Sequence, residues 1–316
     1  MKVIFDTDPG IDDAMALLYL SKLPEVELLG ITSVVGNASI DTTTRNALFL
    51  ARQFGLSAPV VRGAAKTLDG AVKDEPVIVH GHNGLGDIAI PEIDMADLHE
   101  GVASDFIIET LKAHPGEVTI IAVGRMTNLA LALRKDPSIA GLAKGVVIMG
   151  GAFGYKGRSG NVTPAAEANI HGDPVAADEI FGASWPVAVV GLDVTHEIVL
   201  TSDYLATLSR EVGENGELLR QMCAHYAKFY NEIMGVDGVV GHDLLAVTYL
   251  LHPEWFETRS GPIRVVREGL AVGQTIQKPD SRKGGDPAWA DRPSHRICTD
   301  VDGAKVLAHY RATLAG

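Results

Sequence analysis

Short runs of apolar, β-branched residues recur along the chain at 3–5, 26–33, 118–123, 145–149 and 187–190. Between them lie stretches in which apolar positions return every three or four residues, at 13–23, 42–54, 104–113, 127–135 and 174–181. The runs are too short and too uniformly apolar for strands with one wet face. They predict strands buried on both sides, and their alternation with amphipathic helices predicts a parallel sheet covered by helices on each face. The expected architecture is therefore α/β: a central, mostly parallel sheet flanked by helices. In such sheets ligands bind at the carboxyl ends of the strands, so chemistry is expected where a strand hands over to a loop.

Residues 202–252 form the most continuous later helical stretch, expected to pack outside the sheet or over its ligand end. Residues 279–294 are rich in Gly, Pro, Asp and Arg and predict a loop, and 300–314 predict a closing helix. No repeat, low-complexity tract or linker divides residues 1–316, which predicts one domain.

No apolar run reaches the eighteen or so residues that a membrane helix needs, and the N-terminus MKVIFDTDPG reads as a first strand and not as a signal peptide. A formal charge of -13, from 27 basic against 40 acidic residues, would repel a phosphate backbone and argues against polymeric nucleic acid. Two distant cysteines, Cys223 and Cys298, can build neither a disulfide framework nor a zinc knuckle. They point to a reducing, cytoplasmic setting.

The strongest chemical signal follows the first strand. Asp6, Asp8, Asp12 and Asp13 place four carboxylates in eight positions, and Pro9-Gly10 turns the chain back on itself between them. Carboxylates packed so closely repel and are forced to protonate unless a cation intervenes. Oxygen ligands suit a hard ion, and calcium accepts several direct carboxylate and carbonyl ligands more readily than magnesium. With no Cys or His nearby, zinc is a poor candidate. The plainer reading is an acidic helix N-terminus, which accounts for one or two acids but not four. Asp6 is the member that could act as an orienter behind the ligands.

A second cluster follows Met149-Gly150-Gly151. Asn161, Glu167 and Asn169 offer directed donors and acceptors suited to the vicinal hydroxyls of a sugar; the plainer reading makes them turn and cap residues. Asp173 before Pro174 reads as a helix N-cap. Asp243 is placed to complete the metal site, and His242 beside it is a candidate general acid near neutral pH. His80 and His82 lie in a glycine-rich loop. Tyr226 and Tyr230, four apart, share one helix face, either as core or as a lid that stacks on a base.

Together these motifs resemble the inosine–uridine nucleoside hydrolases. The resemblance rests on Asp-x-Asp-Pro-Gly-x-Asp-Asp at 6–13, Gly-x-x-Thr-Asn at 124–128, Met-Gly-Gly at 149–151, the Asn161…Glu167-x-Asn169 cluster and the His242-Asp243 pair, and spans residues 3 to about 256. It implies calcium held by Asp8, Asp13, Asp243 and the Val123 carbonyl, with Asp8 also the general base for a water. It implies ribose binding by Asp12, Asn37, Asn161, Glu167, Asn169 and Asp243, with Met149 lining the sugar pocket. His80, His242, Tyr226 and Tyr230 would surround the departing base, as in the base-nonspecific branch, where the purine-selective branch has tryptophan at the His242 position. It further implies a small-molecule nucleoside substrate and a homodimer or homotetramer. Two departures stand out. Arg125-Met126 replaces the usual Pro-Leu, and Ala168 replaces a common Phe, which leaves open a modified 5′ group on the sugar.

Two rivals follow from the same residues. An aspartyl phosphatase would use Asp6-Thr7-Asp8 as nucleophile and acid, but it would want a lysine and a further acidic pair after later strands. Here the later acid comes with a histidine, and the middle of the chain supplies amides. A binding protein would keep the metal and sugar sites without catalysis.

Overall fold

Nine strands hydrogen-bond into one sheet that runs through nearly the whole chain. In the computed structural model, which describes residues 1–71, 76–284 and 286–316, the strands are β1 Lys2–Thr7, β2 Glu27–Ser33, β3 Val60–Val61, β4 Leu98–His99, β5 Val118–Ala122, β6 Gly145–Met149, β7 Val187–Val190, β8 Val199–Thr201, β9 Gly238–Val240, β10 Phe256–Gly261, β11 Ile263–Val265, β12 Thr275–Gln277 and β13 His295–Val301. The large sheet has the order β10-β13-β7-β6-β5-β1-β2-β3-β4. Its neighbours are parallel except β10, which runs antiparallel to β13 at one edge. The β8–β9 and β11–β12 pairs form two small antiparallel additions.

The helices are α1 Ile11–Ser21, α2 Ile40–Gln53, α3 Val77–His80, α4 Ala103–Ala113, α5 Thr127–Lys135, α6 Ala168–Gly172, α7 Pro174–Ile180, α8 Leu192–Thr195, α9 Ser202–Val212, α10 Glu214–Met234, α11 Leu244–Leu251 and α12 Gly303–Ala315. They cover both faces, as the apolar runs require. Successive residues of a strand point to opposite faces, and the core divides accordingly. Val3 and Phe5 of β1 join one apolar layer with α1, α2, α10, α11 and α12, while Ile4 joins a second with α4, α5 and α7. Val147 and Met149 of β6 face the first layer, Val146 and Ile148 the second. Each such side chain taken out of water contributes about 1.5–3 kcal/mol, which is why these strands need no polar alternation.

Two expectations are corrected and a third is refined. The helical reading of 202–252 is broken by β9, whose three residues pair with β8 and turn the chain toward the sheet. The closing helix begins at Gly303, because residues 295–301 are the strand β13, inserted between β7 and β10. The expected loop over 279–294 holds one 3-10 turn, Pro287–Trp289; residue 285 in it lies outside the described residues. Among the described residues no helix is long and apolar enough to cross a membrane.

The strand order changes direction at β1. From there β2, β3 and β4 extend to one side and β5, β6 and β7 to the other. The loops leaving β1 and β5 therefore diverge above the sheet, which opens a crevice at the point where ligands bind in this class of fold. The acidic segment 8–13 leaves β1 at that point.

Candidate active site

Four of the buried acids meet over the end of β1. Carboxylate oxygens of Asp12, Asp13 and Asp243 lie within 4.8 Å of one another, and all three residues are buried. Asp13 is tightly held: it accepts from the Thr7 hydroxyl, from the Gly10 amide at 2.8 Å and from Asn37 Nδ2 at 3.1 Å. Asp8 stands beside this group. Its Oδ2 accepts from the Asn37 amide at 2.8 Å, while its Oδ1 is buried without a hydrogen-bond partner. Two glycines make room for it. A Cβ on Gly36 would fall 1.7 Å from Asp8 Oδ2, and one on Gly124 would fall 2.6 Å from Oδ1. These glycines follow β2 and β5, so the strands on either side of β1 clamp the Asp8 carboxylate.

Burial raises the proton affinity of Asp8, Asp12, Asp13 and Asp243, and repulsion from neighbouring acids adds to it for Asp8, Asp12 and Asp243. Such a cluster calls for a cation. Asp6 is different. Its Oδ2 accepts from Thr32 Oγ1 at 2.6 Å and Asn128 Nδ2 at 2.8 Å, tying β1 to β2 and to the start of α5. Burial lifts its pKa to about 7. Its Oδ2 thus ties the surrounding elements together, while its Oδ1 is buried without a hydrogen-bond partner.

The amide cluster stands across from the acids. Glu167 caps α6: its carboxylate accepts from the backbone amides of Gly151, Asn169 and Ile170 at 2.9, 2.8 and 3.1 Å. Asn169 Nδ2 donates to the carbonyls of Val123 at 2.6 Å and Met149 at 3.3 Å, so the amide oxygen is the group it can offer a ligand. Asn161 Oδ1 accepts from the Ala168 amide at 3.0 Å. Asp173 caps α7 through the Ala176 amide, as expected.

The aromatic side is a hydrogen-bonded chain of neutral groups. The hydroxyls of Tyr226 and Tyr230 lie 3.2 Å apart on α10; Tyr230 then reaches His242 Nε2 at 2.6 Å, and His242 Nδ1 reaches Thr195 Oγ1 at 2.8 Å. Both ring nitrogens of His242 are thus engaged. Burial, His196 and His80 push the His242 pKa well below its ordinary value. His80 ends α3. Its Nδ1 accepts from the Ile11 amide at 3.3 Å, which leaves the proton on Nε2, and burial holds its pKa at about 3.

These groups converge on one cavity of about 390 Å3, within the usual range of small-molecule sites. Asp12, Asn37, His80, Val123, Met149, Asn161, Glu167, Asn169, Tyr226, Tyr230, His242 and Asp243 all line it. Asp8 and Asp13 lie behind that lining, each bonded to Asn37. The sequence did not single out Thr195 or His196, which follow β7, nor Phe229 and Ile233, which line the cavity from α10. Phe229 and Ile233 continue the stripe begun by Tyr226 and Tyr230 at helical spacing, a signal that was available. His82 and Arg125 are not in the lining.

A model of the family described as inosine-uridine preferring nucleoside hydrolase matches residues 3–308. A uridine nucleosidase 1 from Arabidopsis thaliana is 40% identical over 315 residues, covering 99% of this chain and 93% of the relative. A plant nucleoside hydrolase superimposes with a TM-score of 0.94 at 35% identity, covering 100% of this chain and 99% of the other. A purine-preferring ribonucleoside hydrolase from Gardnerella vaginalis gives 0.91 at 32% identity, covering 100% and 98%.

Proposed function

We propose, for a chain that belongs to the inosine-uridine preferring nucleoside hydrolase family and is a ribonucleoside N-ribosyl hydrolase, that it cleaves purine and pyrimidine ribonucleosides with calcium at the acid cluster and a neutral hydroxyl relay at the base. The observation that carries this reading is that the acid cluster and the aromatic chain adjoin and line one cavity.

The acid cluster fits a calcium ion. Three mutually close carboxylates, a fourth with an unpartnered buried oxygen and a nearby backbone carbonyl make an all-oxygen donor set, which hard cations prefer. Asp8, Asp13, Asp243 and the Val123 carbonyl would hold it, with Asp12 in the same group. Bound there, calcium would supply the positive charge that lets these acids ionise together and would acidify an adjacent water.

The chain's own groups account for the rest. Asp8 Oδ1, unpartnered, accepts the proton of the attacking water. Asp12, Asn37, Asn161, Glu167, Asn169 and Asp243 hold the ribose hydroxyls, and Met149 packs against the ring. As the C–N bond breaks, positive charge grows on the sugar, and the fixed carboxylates stabilise it without having to reorient. The base departs toward the aromatic wall. There a hydroxyl of the Tyr226–Tyr230–His242–Thr195 chain gives its proton to the departing base and is reprotonated along the chain, with solvent as the final source. A relay of hydroxyls suits more than one base outline, and relatives named for uridine and for purines support that breadth. The two free buried thiols support a cytoplasmic setting.

The test is ribose release from uridine, inosine and adenosine, with calcium and with chelator, alongside phosphate release from nucleotides. Ribose from all three nucleosides, lost on chelation, agrees with the proposal. Phosphate release without ribose would favour the phosphatase reading.

A further inference from the structure

Arg125 follows β5 by three residues, and its side chain turns inward. Nine Asp and Glu residues are buried, whereas Arg125, at 6% exposure, is the one buried lysine or arginine among the described residues. Its Nη2 donates to the Gly36 carbonyl at 3.5 Å, and its Nη1 is buried without a partner. Its stem occupies the space above Gly172, where a Cβ would fall 2.6 Å from Nε. No carboxylate hydrogen-bonds to it among the described residues.

The position explains the arrangement. Gly36 and Gly124 are the two glycines that clamp Asp8. Arg125 follows one in the chain and is bonded to the other, so its guanidinium sits at the back of the acid cluster, away from the cavity. Burying a guanidinium without an ion-pair partner is costly, and the nearby charges of Asp8 and Asp173 offset that cost.

We propose that Arg125 is a fixed cation beside Asp8, sharing with the metal the neutralisation of that carboxylate, so that it steadies the metal-free protein and opposes metal binding. The inference rests on the calcium reading above. Coupling between two ligands of one site is reciprocal: whatever Arg125 contributes to the metal-free state it withdraws from calcium affinity.

Calcium titration by calorimetry, and melting with and without calcium, would be measured for the wild type, Arg125→Gln and Arg125→Lys. Arg125→Gln is expected to bind calcium about tenfold more tightly. It should melt lower than wild type without calcium and close to wild type with it. Arg125→Lys keeps the charge and should follow the wild type in both measurements. Unchanged or weaker affinity in Arg125→Gln, with equal loss of melting temperature in both states, would make Arg125 a packing residue and overturn the proposal. So would an Arg125→Gln protein that fails to fold even in calcium, because the metal should restore the neutrality that the substitution removes. Absence of calcium binding by the wild type would overturn both this inference and the metal reading, whereas the other contrary outcomes leave the metal reading standing.

Discussion

At the acid end of the site Asp12, Asp13 and Asp243 crowd their carboxylates within 4.8 Å, and Asp8 is wedged between two glycines. At the adjoining neutral end Tyr226, Tyr230 and His242 are equally buried but uncharged and linked by hydrogen bonds, with the His80 ring against Tyr226. The acid end is built mainly on the segments that follow β1, β2 and β5 at the centre of the sheet, with Asp243 brought to it from the start of α11. The neutral end is carried mainly by α3, α10 and α8 and by the turn before α11, outside the sheet. The proposed metal site thus gathers the buried charge, and the proposed relay keeps to groups that need bury none.

The largest effect is expected at the acid end. Asp8→Asn removes the proposed proton acceptor while keeping its shape, and the rate on uridine should fall by about a thousand- to ten-thousand-fold. Steady-state ribose release measures it, and a loss under tenfold would break the assignment. At the neutral end Tyr230→Phe cuts the chain between Tyr226 and His242. Loss of about a hundredfold in kcat on natural nucleosides is expected, with KM little changed; an effect confined to KM would mean that Tyr230 only packs against the base.

The clamp around Asp8 gives a stability prediction. Gly36→Ala drives a methyl into the carboxylate, 1.7 Å from Oδ2. Overpacking of that kind costs about 1–3 kcal/mol, read as a lower midpoint in urea unfolding at unchanged slope. A variant as stable as wild type would show that the clamp yields freely.

The smallest effect is a slope with pH. Burial raises Asp6 to about 7 and moves the clustered acids upward as well. An acid whose folded pKa exceeds its unfolded value, near 3.9 for Asp, binds its proton more tightly when folded. Its contribution is therefore present at low pH and lost as pH rises through the folded pKa. The metal-free protein should melt higher at pH 5.5 than at pH 8, and calcium should flatten that difference. A metal-free protein more stable at pH 8 would contradict the charge account of the acid end.

The two ends also differ in how legible they were. The acids of 6–13 are adjacent in sequence, so their crowding is visible without a fold, and the strands beside them are continuous apolar runs. The sequence set Asp6 apart as an orienter, but its partners Thr32 and Asn128 depend on the neighbouring strand and helix. At the neutral end Tyr226 and Tyr230 were visible through their spacing, but Thr195 comes from a four-residue helix after β7 and meets His242 only in three dimensions. The strands that were missed have physical reasons. β3 and β4 are two residues long, and Phe256–Gly261 is largely solvent-facing at an edge, so neither carries the apolar signal of the centre. β9 is too short to interrupt a helical pattern by eye.

The division between the two ends is tested most directly by crossing variants with substrates. Asp8→Asn and Tyr230→Phe would each be assayed on uridine and on a riboside whose activated phenolic leaving group departs without a proton. The account predicts that Asp8→Asn is crippled on both, because both need an activated water. Tyr230→Phe should be slow on uridine and close to wild type on the activated riboside. Equal slowing of both substrates by Tyr230→Phe would contradict the relay, and near-normal hydrolysis of the activated riboside by Asp8→Asn would contradict the acid end as the source of the nucleophile.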